Sequence, residues 1–441
     1  MIEQKKQLQD AVNEALIIAK QLGVDQAEVA LGKTSGISVN TRLGEVENIE
    51  FNNDGGMGIS VYINQCKGSA STADLSSRAI QSTVKAAVDI AKYTSKDIYS
   101  GLLDLSSLET EPADLDLYHP SQHSTEQLLA IAKACEDIAL SSDKRIVNSD
   151  GAEMNSHSSI SVYGNTHGFL HSYASSRHSL SCVLIAQQGD EMQRDYSYSS
   201  ARDMADLFTP QWVADDAAKR TLDRLGARKI KTQQSSVIFS PEAASSLFGH
   251  LVGAISGTSL YKKSSFLLDS LDTQIFPEWM TISEKPQLRK GIASVPFDQE
   301  GGKTVDRNII ENGVLQTYLL TGYAARKLKM QSTGHAGGIH NWFISTGCLD
   351  LPGLFKEMGT GLFVTELMGQ GVNLVTGDYS RGASGFWIEN GMIAYPVHEI
   401  TIAGNLQEMF LNIVAVANDI DPRSSLKTGS ILIEKMKIAG Q

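Results

Sequence analysis

Residues 27–64, AEVALGKTSGISVNTRLGEVENIEFNNDGGMGISVYIN, decide the fold class. Apolar and polar side chains alternate there in four short runs, Ala27–Leu31, Gly36–Thr41, Val46–Asn52 and Met57–Asn64. Alternation with a period of two marks a strand with one buried face, because successive side chains leave a pleated backbone on opposite sides. Turn-forming residues separate the runs, and Asp54-Gly55-Gly56 is expected to form a hairpin turn, where backbone angles must be positive. Short strands joined by tight turns pair antiparallel.

Working outward, helices do not alternate one for one with strands. Residues 5–22 place Leu8, Ala11, Val12, Ala15, Leu16, Ala19 and Leu22 at three-and-four spacing, which predicts an amphipathic helix. A second helix is expected over 74–93, and a third from Ser124, where Ser124 and Gln127 have capping-box spacing, to Leu140. Residues 144–198 read as an antiparallel meander, and a fourth helix runs from Pro210 to a stop at Gly226. The polar stretch Lys229–Ser236 marks a boundary between an N-terminal α+β domain (1–228) and a C-terminal strand-rich domain (229–441). Two hairpin tips in the second half share a pattern, Ile310-Glu311-Asn312-Gly313 and Ile388-Glu389-Asn390-Gly391. Asn-Gly suits a tip because both residues tolerate left-handed angles. The class is α+β with mostly antiparallel sheets.

The chain has 441 residues, 41% of them apolar, and a net charge of −12. That balance argues against a nucleic-acid binder, which needs cations to displace phosphate counterions. The densest basic cluster, Arg228-Lys229-Ile230-Lys231, is short and reads as a connector. The first residues lack the apolar core of a signal peptide and no apolar run reaches ~20 residues, so no membrane span is expected. Cys66, Cys135, Cys182 and Cys348 form no CxxC and read as reduced thiols, with the cytoplasm as the expected compartment.

Ser240-Pro241-Glu242 opens a helix over 240–256: serine caps, proline suits the first turn, and glutamate suits the positive dipole end. Ala243, Ala244, Leu247, Phe248, Leu251, Val252 and Ile255 supply its apolar surface, and His250 is its one imidazole. Together with SPEA (240–243), FGHLV (248–252), STGHAGGIHNW (332–342), VTELMGQG (364–371), GDYSRGA (377–383) and the ending MKIAGQ (436–441), it resembles the PmbA/TldE family, the partner of the TldD metallopeptidase. The likeness runs over essentially the whole chain.

The resemblance implies that the catalytic sister chains carry an HExxxH signature on this helix and a cysteine ligand near the C-terminus. Such histidines hold Zn²⁺ and bring its bound water toward a pKa of ~7, while the glutamate accepts the water's proton. Matched to that pattern, Ser245 stands in the place of the first histidine and Ser246 in that of the glutamate. His250 keeps the second histidine, and Thr428 takes the cysteine's place. One ligand of three remains and no base, so the resemblance implies no metal or other cofactor here and zinc in the partner subunit.

Other constellations are weaker. His335 and His340 flank Gly337-Gly338, which leaves open a metal pair, a substrate- or partner-facing loop, or plain structure. His398-Glu399 sits in strand-like sequence, where neighbours point to opposite faces. His167 and His171 read as one solvated strand face. Met358-Gly359-Thr360-Gly361 and Gly369-Gln370-Gly371 lack the lysine and serine of a P-loop. Arg381 could grip a carboxylate such as a peptide terminus, with an ion pair to Asp378 or to a partner chain as the plainer role.

Three functions follow. By resemblance, the chain is a catalytically inactive subunit of a heterodimeric zinc metalloprotease that cleaves unstructured peptides. Family roles include microcin leader-peptide processing, antitoxin degradation and a link to modulation of DNA gyrase. Its contribution would be chamber wall and β-edge hydrogen bonds to an extended substrate. An independent metallohydrolase built from His250, His335 and His340 is opposed by the absence of a base beside His250. A stand-alone peptide-binding or gyrase-modulating protein, including a homodimer formed without the partner, is the other alternative.

Overall fold

The computed structural model describes residues 2–440. Helix α1 (Lys5–Gln21) leads into strands β1 (Gln26–Arg42), β2 (Glu45–Ile63) and β3 (Cys66–Thr72), followed by α2 (Ser77–Tyr93). After a long connection come α3 (Thr125–Ser141), β4 (Ile146–Asn165), β5 (Leu170–Gln188), β6 (Glu191–Ala201) and α4 (Pro210–Asp223). All six strands form one antiparallel sheet in the order β3-β2-β1-β4-β5-β6. The class is α+β, as the alternation predicts.

The four runs of residues 27–64 are in fact two strands, of 17 and 19 residues. Their hairpin turns at Leu43-Gly44, where φ is 52° and 80°, and not at Asp54-Gly55-Gly56. Those three lie mid-strand, with Asp54 opposite Thr34 and Gly56 opposite Gly32. A Cβ on Gly55 would stand 3.1 Å from the Gly32 carbonyl oxygen. The glycines there permit close strand approach, the other use of a missing side chain.

Two helix pairs cover this sheet. α1 and α2 bury Leu8, Val12, Leu16, Ile80 and Val84 against Val29, Leu31, Met57 and Ile59. α3 and α4 bury Leu128, Ala132, Val213 and Ala217 against Met154, Leu180 and Leu184. Each large aliphatic side chain removed from water in this way contributes roughly 1.5–3 kcal/mol. The expected capping box is present at Ser124 and Gln127.

The second half begins with β7 (Gln233–Phe239) and α5 (Pro241–Ala254), then β8 (Ile282–Lys285), β9 (Arg307–Glu311), β10 (Val314–Leu315) and β11 (Asn341–Ile344). It ends with β12 (Gly361–Met368), β13 (Asp378–Glu389), β14 (Met392–Asn405), β15 (Ile413–Val416), β16 (Leu426–Lys427) and β17 (Ile431–Ala439). One sheet runs β14-β13-β12-β7-β17-β15, with β14 also pairing to β17 so that strands close on themselves. The other runs β10-β9-β8-β11-β16. The β7–β12 and β11–β16 ladders are parallel and the rest antiparallel.

Both Asn-Gly tips are turns, with φ of 50° and 79° at Asn312-Gly313 and 50° and 73° at Asn390-Gly391. Between the halves, the Arg326 guanidinium donates to the carbonyls of Tyr99 (2.6 Å), Gly101 (2.8 Å) and Leu102 (3.1 Å). Among the described residues no helix is long and apolar enough to cross a membrane.

Candidate functional site

Helix α5 begins as its sequence dictates: the Ser240 hydroxyl accepts the Ala243 N–H, and Pro241 fills the first turn. Its apolar face, including Leu247, Phe248 and Leu251, enters a core with Phe239, Phe276, Trp342 and Phe410. That packing leaves Ser245, Ser246, Gly249 and His250 as a half-open stripe. A Cβ added at Gly249 would meet nothing within 4 Å, so the helix borders open space there.

Strand β13 faces this stripe. The Arg381 Nη1 donates to the Ser246 hydroxyl at 2.9 Å, and the ring of His250 meets that of Tyr379 edge-on at 5.9 Å. Arg381 is not paired with Asp378, the plainer partner expected from sequence; the Asp378 carboxylate accepts from Thr376 instead. Residues three apart on a strand point to opposite faces, which accounts for the difference. Ser245, on the neighbouring side of the helix, donates to the Leu426 carbonyl at 3.1 Å. Thr428, two residues further along, is fully buried and donates to the Gly429 carbonyl.

Three buried atoms of the group have no hydrogen-bond partner: His250 Nε2, the Tyr379 hydroxyl and Arg381 Nε. Burial, and then the Arg381 charge, hold the His250 imidazole below its ordinary pKa. Burial pushes the Tyr379 phenol up to about 12 against the pull of the adjacent guanidinium, which sits beside the hydroxyl without hydrogen-bonding geometry.

This donor set does not fit a zinc ion. His250 is its one metal-competent side chain, Ser245 and Thr428 give their protons to backbone carbonyls, and a fixed guanidinium stands where a dication would be repelled. The structure thus brings together Ser245, Ser246, His250 and Arg381, adds the Thr428 segment behind Ser245, and adds Tyr379. Sequence reasoning passed over Tyr379, although its place two residues before Arg381 puts both on one strand face.

His335 and His340 lie elsewhere. Expected on a metal, on a substrate- or partner-facing loop or in plain structure, they are each 5% exposed, while Gly337 and Gly338 between them are exposed. The His335 Nε2 donates to Glu284 Oε2 at 2.9 Å, and Glu284 Oε1 accepts the His340 N–H (3.0 Å) and the Trp342 indole (2.9 Å). The His340 Nε2 donates to the Gly334 carbonyl at 3.0 Å. Donor atoms of Glu284, His335 and His340 lie within 4.8 Å of one another, but each residue already has a hydrogen-bond partner. Burial alone would raise the Glu284 pKa; the His335 bond and the neighbouring imidazoles and N–H hold it down to about 2.

His167 and His171 do not share a strand face: His167 is in the turn after β4, and His171 packs on Phe169 (4.7 Å) and Phe297 (6.4 Å).

A recess of about 440 Å³ opens at the N-terminal end of α5, walled by Trp212, Phe208, Phe363 and Phe386. At its rim Glu242 takes a two-point bond from Arg220 (3.0 and 2.9 Å) and a third from Arg423 (2.7 Å). In the first half, β3 pairs only with Met57–Ile63 of β2, so the outer edge of β2 before Met57 carries no strand among the described residues. Phe51 on that edge is 70% exposed.

Three family domains match in order: PmbA/TldA metallopeptidase domain 1 over residues 27–91, the central domain over 118–225 and the C-terminal domain over 232–440. The chain is 57% identical over 438 residues to the metalloprotease PmbA of Escherichia coli O157:H7, covering 99% of this chain and 97% of that one. A protein of Bacteroides thetaiotaomicron, named for a proposed role as a modulator of DNA gyrase, superposes with a TM-score of 0.93 at 29% identity, covering 98% of each chain. TldE of Thermococcus kodakarensis shares the fold, with a TM-score of 0.84 at 21% identity over 98% of this chain and 100% of that one.

Proposed function

The chain belongs to the PmbA/TldE family, and from that premise we propose that it is the metal-free subunit of a two-chain zinc metalloprotease of the TldD/TldE type. In this reading a TldD-type partner carries the zinc, and the two chains enclose a chamber in which unstructured peptides are cleaved. Leader-peptide processing and antitoxin degradation are the kinds of task such a chamber would serve, in the cytoplasm. The observation that carries the reading is the side-chain set on α5 and its neighbours: serines at 245 and 246, a threonine at 428, and the Arg381 cation bonded to Ser246. A peptidase needs a polarised water and a base there, and this set supplies neither.

Two features support a role in holding substrate. The unpaired edge of β2 offers backbone groups to an extended chain, reading backbone more than side chain. The aromatic recess beside α4 and α5 could take a bulky side chain. The net charge of −12 disfavours direct contact with DNA, so any effect on gyrase would pass through peptide or protein.

The test is to purify the chain alone and with its TldD-type partner, measuring bound zinc and cleavage of an unfolded peptide. Zinc and cleavage are expected only in the mixture, and cleavage is expected to vanish when the partner's motif glutamate is replaced. Stoichiometric zinc with cleavage by the isolated chain would sink the reading.

A further inference from the structure

Beside α5, the atoms left without partners share one chemical character. Arg381 Nε–H and the Tyr379 O–H are donors, and His250 Nε2 becomes one in the tautomer or charge state that protonates it. Tyr379 is 2% exposed, so its hydroxyl is a buried polar group at a cost that a partner would relieve. Arg381 makes no ion pair among the described residues; its Nη1 donates to the neutral Ser246 hydroxyl. A half-buried guanidinium without a counter-charge is the less stable arrangement, since a buried charge needs a partner. Water could fill the hydrogen bonds but not balance the charge. Gly249 is exposed and a Cβ added there would meet nothing within 4 Å, so open space borders the helix next to these three enclosed atoms.

We propose that Arg381, Tyr379 and His250 form a carboxylate-binding seat in the place of the lost metal centre, and that its ligand is the C-terminal carboxylate of a peptide. One carboxylate oxygen would accept from Arg381 Nε and the other from Tyr379 or His250, a charge-assisted pairing that suits a planar anion. The seat would anchor the free end of an extended chain. This rests on the peptide-handling role proposed above for its biological use, but the binding itself belongs to this chain alone.

The test therefore uses the isolated full-length chain. Binding of an unstructured pentapeptide with a free C-terminus is measured by calorimetry beside the same peptide as its C-terminal amide, with inorganic phosphate and acetate as competitors. The His250 imidazole shift is followed by NMR. The free acid is expected to bind at least tenfold more tightly than the amide and to shift the His250 resonance; acetate should compete weakly. Arg381→Gln should abolish the preference, and Tyr379→Phe, which deletes only a hydroxyl, should reduce it severalfold while the protein stays folded. Equal binding of acid and amide, or a preference that survives Arg381→Gln, would overturn the proposal. So would phosphate binding as tightly as the peptide, which would make the seat a general anion site. None of these outcomes depends on a TldD-type partner, so failure here leaves the heterodimer reading standing, and failure of that reading leaves this one.

Discussion

Arg381 on β13 and Ser246 on α5 are joined by a 2.9 Å hydrogen bond, which fixes a permanent positive charge one helical turn from His250. Ser246 and His250 are four residues apart and share a helix face, so the guanidinium reaches the imidazole through space. Where a catalytic metal would need uncompensated donors, the helix instead presents a cation already in place.

His250 should report that cation. Burial comes first in holding its pKa down and the Arg381 charge second. Replacing Arg381 with Gln removes a like charge that disfavours the imidazolium, so the His250 midpoint should move up. NMR titration of the ring protons measures it. A midpoint that stays put would mean that the guanidinium does not face the ring.

Legibility followed the range of the interaction. The capping box at Ser124 and Gln127 and the two Asn-Gly tips are local, and each was readable because a few adjacent residues determine the outcome. Asp54-Gly55-Gly56 reads as a turn but lies mid-strand, because glycine serves turns and close strand contacts alike and the register against Gly32 decides between them. The ion pair with Asp378, one of the roles open to Arg381 from its sequence neighbours, does not form, because strand alternation sends the guanidinium to α5. Glu284 gave no signal: its site exists because β8 pairs with β11 and sets it opposite Trp342, 58 residues away.

The Asn-Gly tips should differ in their tolerance of alanine. Both glycines need positive φ, which costs an alanine on the order of 1 kcal/mol. At Gly313 an added Cβ would also fall 2.3 Å from the Phe276 carbonyl oxygen, backbone that cannot step aside. At Gly391 the nearest atom is the Lys356 Cα at 2.9 Å, on the end of a short helix with more freedom to shift. Gly313→Ala should therefore lower the urea midpoint more than Gly391→Ala, and the reverse order would refute the packing argument.

Glu284 should make the protein acid-sensitive. Its carboxyl is held at about 2 in the fold against an ordinary 4.5, so its contribution is present above pH 4.5 and is lost as pH falls toward 2. The size is roughly 3 kcal/mol. Glu284→Gln deprives buried His335 of its carboxylate and should cost ~3–5 kcal/mol near neutrality. The gap between variant and wild type, read from urea unfolding at pH 7, 5 and 3, should narrow as the pH drops. A constant gap would contradict an ionised Glu284.

Glu300 should act with the opposite sign. Burial pushes its carboxyl up to about 7, helped by Asp298 and Glu28 and opposed by the Gly322 N–H and Arg326. A carboxyl that binds its proton more tightly folded than unfolded stabilises the fold most below pH 4.5, and that contribution falls away as pH rises from 4.5 through 7. Glu300→Gln keeps an acceptor for the Gly322 N–H, which now donates to Glu300 at 2.7 Å, and cannot ionise. Stability measured from pH 5 to 8 should then decline in the wild type by up to ~3 kcal/mol more than in the variant. Because Glu284 is already ionised throughout that range, the two carboxyls can be read separately from their variants: the acid-range difference from wild type reports Glu284, and the neutral-range difference reports Glu300. Parallel curves for wild type and Glu300→Gln between pH 5 and 8 would show that Glu300 titrates as an ordinary carboxyl.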